Sequence, residues 1–190
     1  DFPRYMWERP ENFRGIHYGR VLTGQHDFTL DRLIAAAFDN KLPAFDTLMP
    51  ALLKAFDDTP AADPLKAQLG EPIAGLRAWD HGWGVDSVPT ALAIFWAQDL
   101  QAHVIDAARA KGITSGDQLA MFDYMANQTT APQRLEALAR AMEKLQKDFG
   151  TWKTPWGAIN RFQRLSGEVD AGFDDAKPSL PVGFTASSWG

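Results

Sequence analysis

The sequence predicts a mainly α protein: a helical, bundle-like body with extended, irregular arms at its N- and C-terminal ends. Three observations lead to this prediction. Between residues 27 and 150, apolar residues recur at spacings of three and four, and several of these stretches begin at a residue that can cap a helix. Outside that range the periodicity is lost. We therefore assign an N-terminal arm to 1–26, a helical domain to 27–150 and a C-terminal arm to 151–190.

The first helix is predicted to begin after Thr29, whose hydroxyl can accept a hydrogen bond from the first turn, and to end before Pro43. Its apolar face consists of five side chains: Leu30, Leu33, Ile34, Ala37 and Phe38. A second helix is predicted from about 43 to 57. Pro50 lies inside it, and because proline lacks an N–H and clashes with the preceding turn, a kink or a split is expected there.

The next helices begin at recognisable N-terminal signals. Asp63 followed by Pro64 has the order of a cap and a first helical residue, and Pro72 favours a restart of the helix. The longest helix is predicted to open at 86–89 and to reach about Ala110. Its buried face is expected to consist of six side chains: Val88, Leu92, Phe95, Trp96, Val104 and Ile105.

A shorter helix is predicted over 117–126, and the clearest helical pattern follows it. Thr130 and Gln133 have the spacing of a capping box, in which each side chain bonds to the backbone N–H of the other. The apolar stripe of this last helix consists of five side chains: Leu135, Leu138, Met142, Leu145 and Phe149. Gly150 is the predicted stop, since glycine readily ends a helix.

The composition excludes several classes of protein and site. The net charge is −5 and the basic residues are scattered, so no surface for nucleic acid is predicted. No apolar run approaches the roughly 20 residues that a membrane-spanning helix needs. The chain has no cysteine, which excludes disulfides, thiolate metal ligands and cysteine nucleophiles within it and fits an oxidising compartment such as the periplasm.

The residues alone predict no catalytic unit, metal site or cofactor. The four histidines lack the i,i+4 spacing of a helical metal site: His17, His26, His81 and His103. His103 is expected to be partly buried and hydrogen-bonded rather than a ligand. His81 is interpreted as a loop histidine, with a role as a base as the alternative. The adjacent carboxylates at 57–58 and 174–175 are expected in solvated loops, because neighbouring side chains point in different directions.

The opening residues resemble a known family. Asp-Phe-Pro at 1–3 and Arg-Pro-Glu-Asn-Phe-Arg-Gly-Ile-His-Tyr-Gly-Arg-Val-Leu at 9–22 are similar to the penicillin acylase (penicillin amidase) family. The likeness is greatest to its branch of acyl-homoserine-lactone and other lipid-chain acylases. Shorter stretches at 28–31, 76–87 and 154–161 agree with it, so the resemblance covers most of the chain.

The resemblance implies an N-terminal-nucleophile hydrolase of αββα fold, made as a precursor that cleaves itself. In such enzymes a serine at the start of the β-chain attacks the amide carbonyl, its own α-amine acts as base, and a backbone N–H and an asparagine hold the oxyanion. This chain resembles an internal piece of the β-chain that begins after that asparagine. Nucleophile, base and oxyanion residues are therefore expected outside this chain, Asp1 offers no hydroxyl, and the piece alone is expected to be inactive.

One functional position is implied by the resemblance. The family places an arginine near the nucleophile, six residues before a second arginine, and Arg14 and Arg20 have that spacing. The permanently charged guanidinium of Arg14 is therefore expected to support catalysis in the parent enzyme. A structural or surface ion pair is the alternative. Some relatives bind calcium through an aspartate here, but only Glu8 and Glu11 lie in the corresponding segment, so no metal is predicted.

These points lead to one main hypothesis and one rival. The chain would be a helical scaffold in the β-chain of a periplasmic or secreted amidohydrolase that cleaves the N-acyl bond of an acyl-homoserine lactone, lipopeptide or β-lactam antibiotic. Its partners would be the α-chain, the rest of the β-chain and, for the parent, a small acyl-amide substrate. Apolar faces left uncovered would favour self-association. The rival hypothesis is a stand-alone helical interaction module without catalysis.

Overall fold

The structure, a computed structural model, describes residues 11–114, 116–164, 167 and 172–190. Within these residues the chain is mainly α, which confirms the predicted fold class. The helices are α1 (Phe13–Leu22), α2 (Leu30–Ala37), α3 (Ala44–Asp58), α4 (Pro64–Gln68), α5 (Gly70–Ala78), α6 (Val88–Ala110), α7 (Gln118–Asn127), α8 (Ala131–Phe149) and α9 (Trp156–Ile159). Strands β1 (Arg161–Phe162) and β2 (Leu180–Pro181) form an antiparallel pair in which Arg161 lies opposite Pro181.

The core lies between four helices. The long helix α6 packs most extensively against α8, and α3 packs against both α7 and α8. Trp96 of α6 is buried between them, and its indole Nε1–H donates to the carbonyl of Arg134, 3.0 Å away. Phe45 and Phe122 bring aromatic rings from α3 and α7 into the same core. Burial of this much apolar surface is the main force that holds the helices together.

The helix caps follow the sequence closely. Thr29, Asp63, Ser87 and Thr130 all have extended backbone conformations and accept hydrogen bonds from the N–H groups of the turns that follow. The capping box predicted at the start of α8 is present in both directions. Gly150 ends α8 in the left-handed conformation with φ 81°, where a side chain would be strained. These predictions are confirmed because each depends only on neighbouring residues.

Two predictions about individual helices need correction. A kink or a split was predicted at Pro50; helix α3 runs through Pro50 as one helix, so the split is absent. In α6, Leu92, Trp96 and Val104 are buried as predicted, whereas the other three residues of the predicted face are only half-buried: Val88, Phe95 and Ile105.

The N-terminal arm was expected to be extended, and that is wrong for 13–22, which form α1. Asn12 caps this helix: its side-chain oxygen accepts from the N–H of Gly15, 2.9 Å away. Asparagine is strongly favoured at the residue before a helix, so Asn12 could have predicted the start of α1 from the sequence. The part of the predicted arm at 1–10 lies outside the described residues.

The C-terminal segment is irregular apart from α9 and the β1–β2 pair, but it does not extend away from the body. Trp189 is 4% exposed and its ring stacks against Phe45 and Phe122, with centroids 5.5 and 5.3 Å away. The Nε1–H of Trp156 donates to the carbonyl of Gly183. The predicted C-terminal arm therefore lies against this chain's own helices.

No helix among the described residues has both the length and the apolar character needed to cross a bilayer.

Candidate functional site

Arg14, the site residue expected from the sequence, lies in the first turn of α1 and reaches the C-terminal segment. Its Nε–H donates to the carbonyl of Gly190 at 3.0 Å, and its Nη2 donates to the carbonyl of Thr185 at 2.6 Å. The contacts of the guanidinium are thus backbone oxygens, and no ion pair to a described carboxylate is present. Arg14 links the first helix of the chain to its last residues.

Arg20 is not brought to the same place. Six residues along an α-helix turn the side-chain direction by about 240° and advance it by about 9 Å. Arg20 accordingly lies on another face of α1, in its last turn, and is exposed. The six-residue spacing therefore separates the two guanidinium groups in space. Arg14 contacts the C-terminal segment, whereas Arg20 is exposed to solvent.

The structure places a histidine–aspartate pair beside Arg14 that the sequence analysis did not find. The Nε2 of His17 lies 2.8 Å from Oδ1 of Asp39, and the His17 side chain is only 12% exposed. His17 follows Arg14 by three residues on the same side of α1. Asp39 lies in the connection between α2 and α3, where its Oδ1 also accepts the backbone N–H of Lys41 at 3.0 Å.

The surroundings of Asp39 favour its ionised form. Partial burial raises the pKa of this carboxyl, but the hydrogen bond from Lys41 N–H and the hydrogen bond and charge of His17 outweigh that effect. The net result is a pKa below the ordinary value. An ionised Asp39 makes Nε2 of His17 the nitrogen that carries a proton, because a carboxylate can only accept.

These residues enclose a small cavity of about 140 Å³. Its lining combines the three polar side chains with aromatic and small residues: Arg14, His17, Tyr18, Ala37, Asp39, Trp83, Phe184 and Gly190. The cavity holds a permanent positive charge and an imidazole–carboxylate pair; among the described residues that line it, Tyr18 carries a phenolic hydroxyl and none is a serine, threonine or cysteine. These groups can orient an anion or a polar neighbour, and they do not include the serine hydroxyl that the expected acyl transfer uses.

The other histidines lie elsewhere. His81 is a loop residue, as predicted, with a left-handed backbone (φ 58°) and Nδ1 2.7 Å from Oδ1 of Asp46. His103 donates from Nδ1 to the carbonyl of Asp99, one turn back on α6, at 2.8 Å. The predicted hydrogen bond is present, but the predicted burial of His103 is wrong, since 54% of its side chain is exposed.

The adjacent carboxylates form no catalytic pair. Asp57 and Asp58 end α3 rather than lying in a loop, and each has its own partner: Arg77 at 2.6 Å and Lys54 at 2.7 Å. In the part of the chain that the structure describes, no group of three histidine, aspartate or glutamate side chains is arranged to hold a metal ion.

Comparison with known proteins identifies the family. The model of the penicillin amidase family matches residues 2–183, which leaves out only the first residue and the last seven. A search of curated proteins returns no match. The family match includes α1 with Arg14 and His17, the whole helical body and most of the C-terminal segment. The chain belongs to the penicillin amidase family.

Proposed function

We propose that this chain is the helical scaffold portion of the β-chain of an amidohydrolase that cleaves a linear amide. The substrate class is an acyl group joined to an amine, such as an acyl-homoserine lactone, a lipopeptide or a β-lactam antibiotic. The nucleophilic serine, its α-amine and the oxyanion residues belong to the rest of the parent enzyme. The family match over residues 2–183 carries this proposal.

The composition of the Arg14 cavity supports the proposal that this chain contributes supporting groups while the reacting groups lie in the rest of the parent enzyme. Arg14 contributes a fixed positive charge, and His17 and Asp39 contribute a hydrogen-bonded pair. Such groups can hold a neighbouring asparagine or amine in place, whereas the serine hydroxyl and α-amine that the proposed reaction uses are assigned to the rest of the parent enzyme. We therefore expect the chain alone to be inactive and its cavity to complete an active site formed with the remaining chain segments.

An exposed apolar face on α2 supports the proposal that the helical body has a partner. No residue of α2 is buried, and its apolar side chains are exposed together with Leu22 at the end of α1: Leu30 (73%), Leu33 (47%), Ile34 (49%) and Phe38 (59%). Apolar patches of this kind on soluble proteins mark interaction surfaces. The proposed occupant is the rest of the parent acylase, and self-association is expected when that occupant is missing. The proposed location of the parent is the periplasm or the cell exterior.

The test is an amidase assay on the full-length gene product with N-acyl-homoserine lactones of several chain lengths and with β-lactams. Arg14→Ala is expected to lower kcat/KM by about 10²-fold, because a misplaced group in an active site costs about that much. Arg20→Ala is the matched control, since it removes the same charge from another face of α1. The 190-residue chain is expected to show no turnover.

Three results would count against the proposal. Turnover by the 190-residue chain would place the nucleophile within it. Full activity of the Arg14→Ala enzyme would remove Arg14 from the site. A full-length product without amidase activity would favour a helical interaction module.

A further inference from the structure

Helix α1 depends on a few contacts for its orientation. It has ten residues and buries one side chain, that of Phe13. Isolated helices of this length are marginal in water, so tertiary contacts must hold α1 in place. Phe13 supplies one such contact: its ring stacks on that of Phe122 in α7, with centroids 5.3 Å apart. Arg14 adds its own hydrogen bonds to Gly190 and Thr185. One stacked ring and a long, flexible arginine side chain still leave the rotation of α1 about its own axis weakly determined.

The His17–Asp39 bond supplies a second anchor. His17 lies four residues after Phe13, so the two anchors are on the same side of α1, one turn apart. Arg14 precedes His17 by three residues and therefore lies next to that side of the helix. The 2.8 Å bond of His17 joins α1 to the α2–α3 connection. Two separated anchors determine the rotation of α1, and with it the direction of the Arg14 side chain.

The acceptor of this bond is itself held firmly. Asp39 accepts the N–H of Lys41, and Leu42 donates its N–H to the carbonyl of His81 at 2.8 Å. The Nζ of Lys41 lies 2.6 Å from Oδ2 of Asp80. The connection is thus bonded at successive residues to the loop that follows α5. Asp39 is a rigid acceptor, which a positioning bond requires.

We infer that His17 and Asp39 are positioning residues that set the direction of Arg14 at the reaction centre, an inference that rests on the proposed function. Arg14, His17 and Asp39 line the same cavity, so a rotation of α1 would move the guanidinium relative to that space. His17 acts through Arg14 and touches no reacting atom in this role. A bond that merely stabilised the fold would affect activity equally whether or not Arg14 were present.

The experiment is a double-mutant cycle in the full-length enzyme. His17→Ala is expected to lower kcat about tenfold with little change in KM, and to cost nothing further in an Arg14→Ala background. His17→Gln is expected to restore most of the activity, because its amide N–H can donate to Asp39. Asp46→Asn is the control, since it alters a different histidine–aspartate pair, that of His81, which does not line the Arg14 cavity.

Each outcome of the cycle decides the inference. Equal losses from His17→Ala in the presence and absence of Arg14 would overturn it while leaving the proposed function intact. Full activity of His17→Ala would do the same. Full activity of Arg14→Ala would overturn both the role of Arg14 and the role of His17. A wild-type full-length product without amidase activity would refute the proposed function and, with it, any positioning role.

Hydrogen exchange provides a readout that needs no activity. Arg14 holds Thr185 and Gly190, and the neighbouring Trp189 carbonyl accepts the N–H of Ala44 at 3.1 Å. If His17 positions Arg14, the exchange of the Ala44 amide should rise in both His17→Ala and Arg14→Ala, and stay unchanged in Arg20→Ala, which alters an exposed residue on another face of α1. A rise in Arg14→Ala alone would show that Arg14 keeps its place without His17, and would overturn the inference.

Discussion

Helices α8 and α2 have the same sequence pattern, but the apolar stripe of α8 is largely buried and that of α2 is exposed. Each begins at a threonine cap and carries an apolar stripe at helical spacing. The stripe of α8 is largely buried, with Leu135, Leu138 and Leu145 at most 2% exposed, whereas no residue of α2 is buried. The comparison teaches that an amphipathic pattern predicts a face in need of cover, but says nothing about what covers it.

The difference arises from the neighbours of the two helices. Helix α8 lies against α6 and α3, which supply apolar side chains of their own. Helix α2 has α1 as its main helical neighbour, and α1 is itself held to the body by few contacts. The helical body thus has a core of its own, whereas the apolar side chains of α2 are exposed, and a partner that covers them remains part of the proposed function.

The largest effect is expected from truncation of matched leucines in the two helices. Leu138→Ala in α8 should lower the free energy of unfolding by about 2–5 kcal/mol, because the side chain is fully buried. Leu33→Ala in α2 should change it by at most about 0.5 kcal/mol in this chain. Urea denaturation measures both. Similar losses would show that α2 is as well packed as α8 and would abolish the distinction.

A smaller effect is expected from removal of the caps. Thr130→Ala breaks the capping box of α8 and should cost about 1 kcal/mol of global stability. Thr29→Ala removes the bond to the N–H of Arg32 and should leave global unfolding nearly unchanged, because α2 opens locally at little cost. Hydrogen exchange of the α2 amides, compared with thermal unfolding, separates the local from the global change. A global loss from Thr29→Ala would contradict the local opening.

Acid should raise hydrogen exchange at the α1–α2 edge before it does so in the helical body. Lys41 and the N–H of Gly82 lower the pKa of Asp80, and the pKa of Asp39 is also lowered. A carboxyl whose pKa is lower when folded stabilises the fold above its unfolded value, here near 3.8, and that stability is lost as the pH falls through the folded value.

Exchange measured as the pH falls below 3.8 and through the lowered pKa of Asp39 should therefore rise first in α1, whose anchor is Asp39, and later in α8. Asp39→Asn should flatten this dependence, while Asp46→Asn serves as the comparison. A uniform rise throughout the chain would show that these carboxylates do not act locally.

The smallest effect on the free energy of unfolding is expected from a charge placed on the exposed apolar face of α2. The same charge should have a separate effect on self-association. Ile34→Lys should leave unfolding nearly unchanged, because Ile34 is 49% exposed. It should reduce self-association of the 190-residue chain measured by light scattering, since a charge disfavours apolar contact. Lys54→Ala, which alters an exposed residue on α3, is the control. A wild-type chain that stays monomeric at high concentration would refute the expected self-association.

Local features of the fold were predictable because local residues produce them. The caps at Thr29, Asp63 and Thr130, and the stop at Gly150, depend on groups within four residues of one another. Helix α1 was missed because the glycines and aromatic residues of 13–22 obscure its periodicity, although Asn12 signalled its start.

The candidate site was less predictable. Arg14 was selected through a family resemblance, and its role stays a prediction. His17 and Asp39 are separated by 22 positions, and no sequence pattern indicates that they meet. Their contact exists because α1 lies across the α2–α3 connection. That placement depends on the stacking of Phe13 in α1 on Phe122 in α7, a contact between segments far apart in the sequence.

Secondary structure, its start and stop points and the need of each helix for an apolar neighbour were set by the order of residues, because hydrogen bonding and side-chain periodicity act over one or two turns. The pairing of His17 with Asp39, the return of Trp189 onto Phe45 and the exposure of α2 were decided only when distant segments packed together. The reason is that burial energy depends on how much surface is covered and hardly on which segment covers it, so many arrangements satisfy the same local pattern.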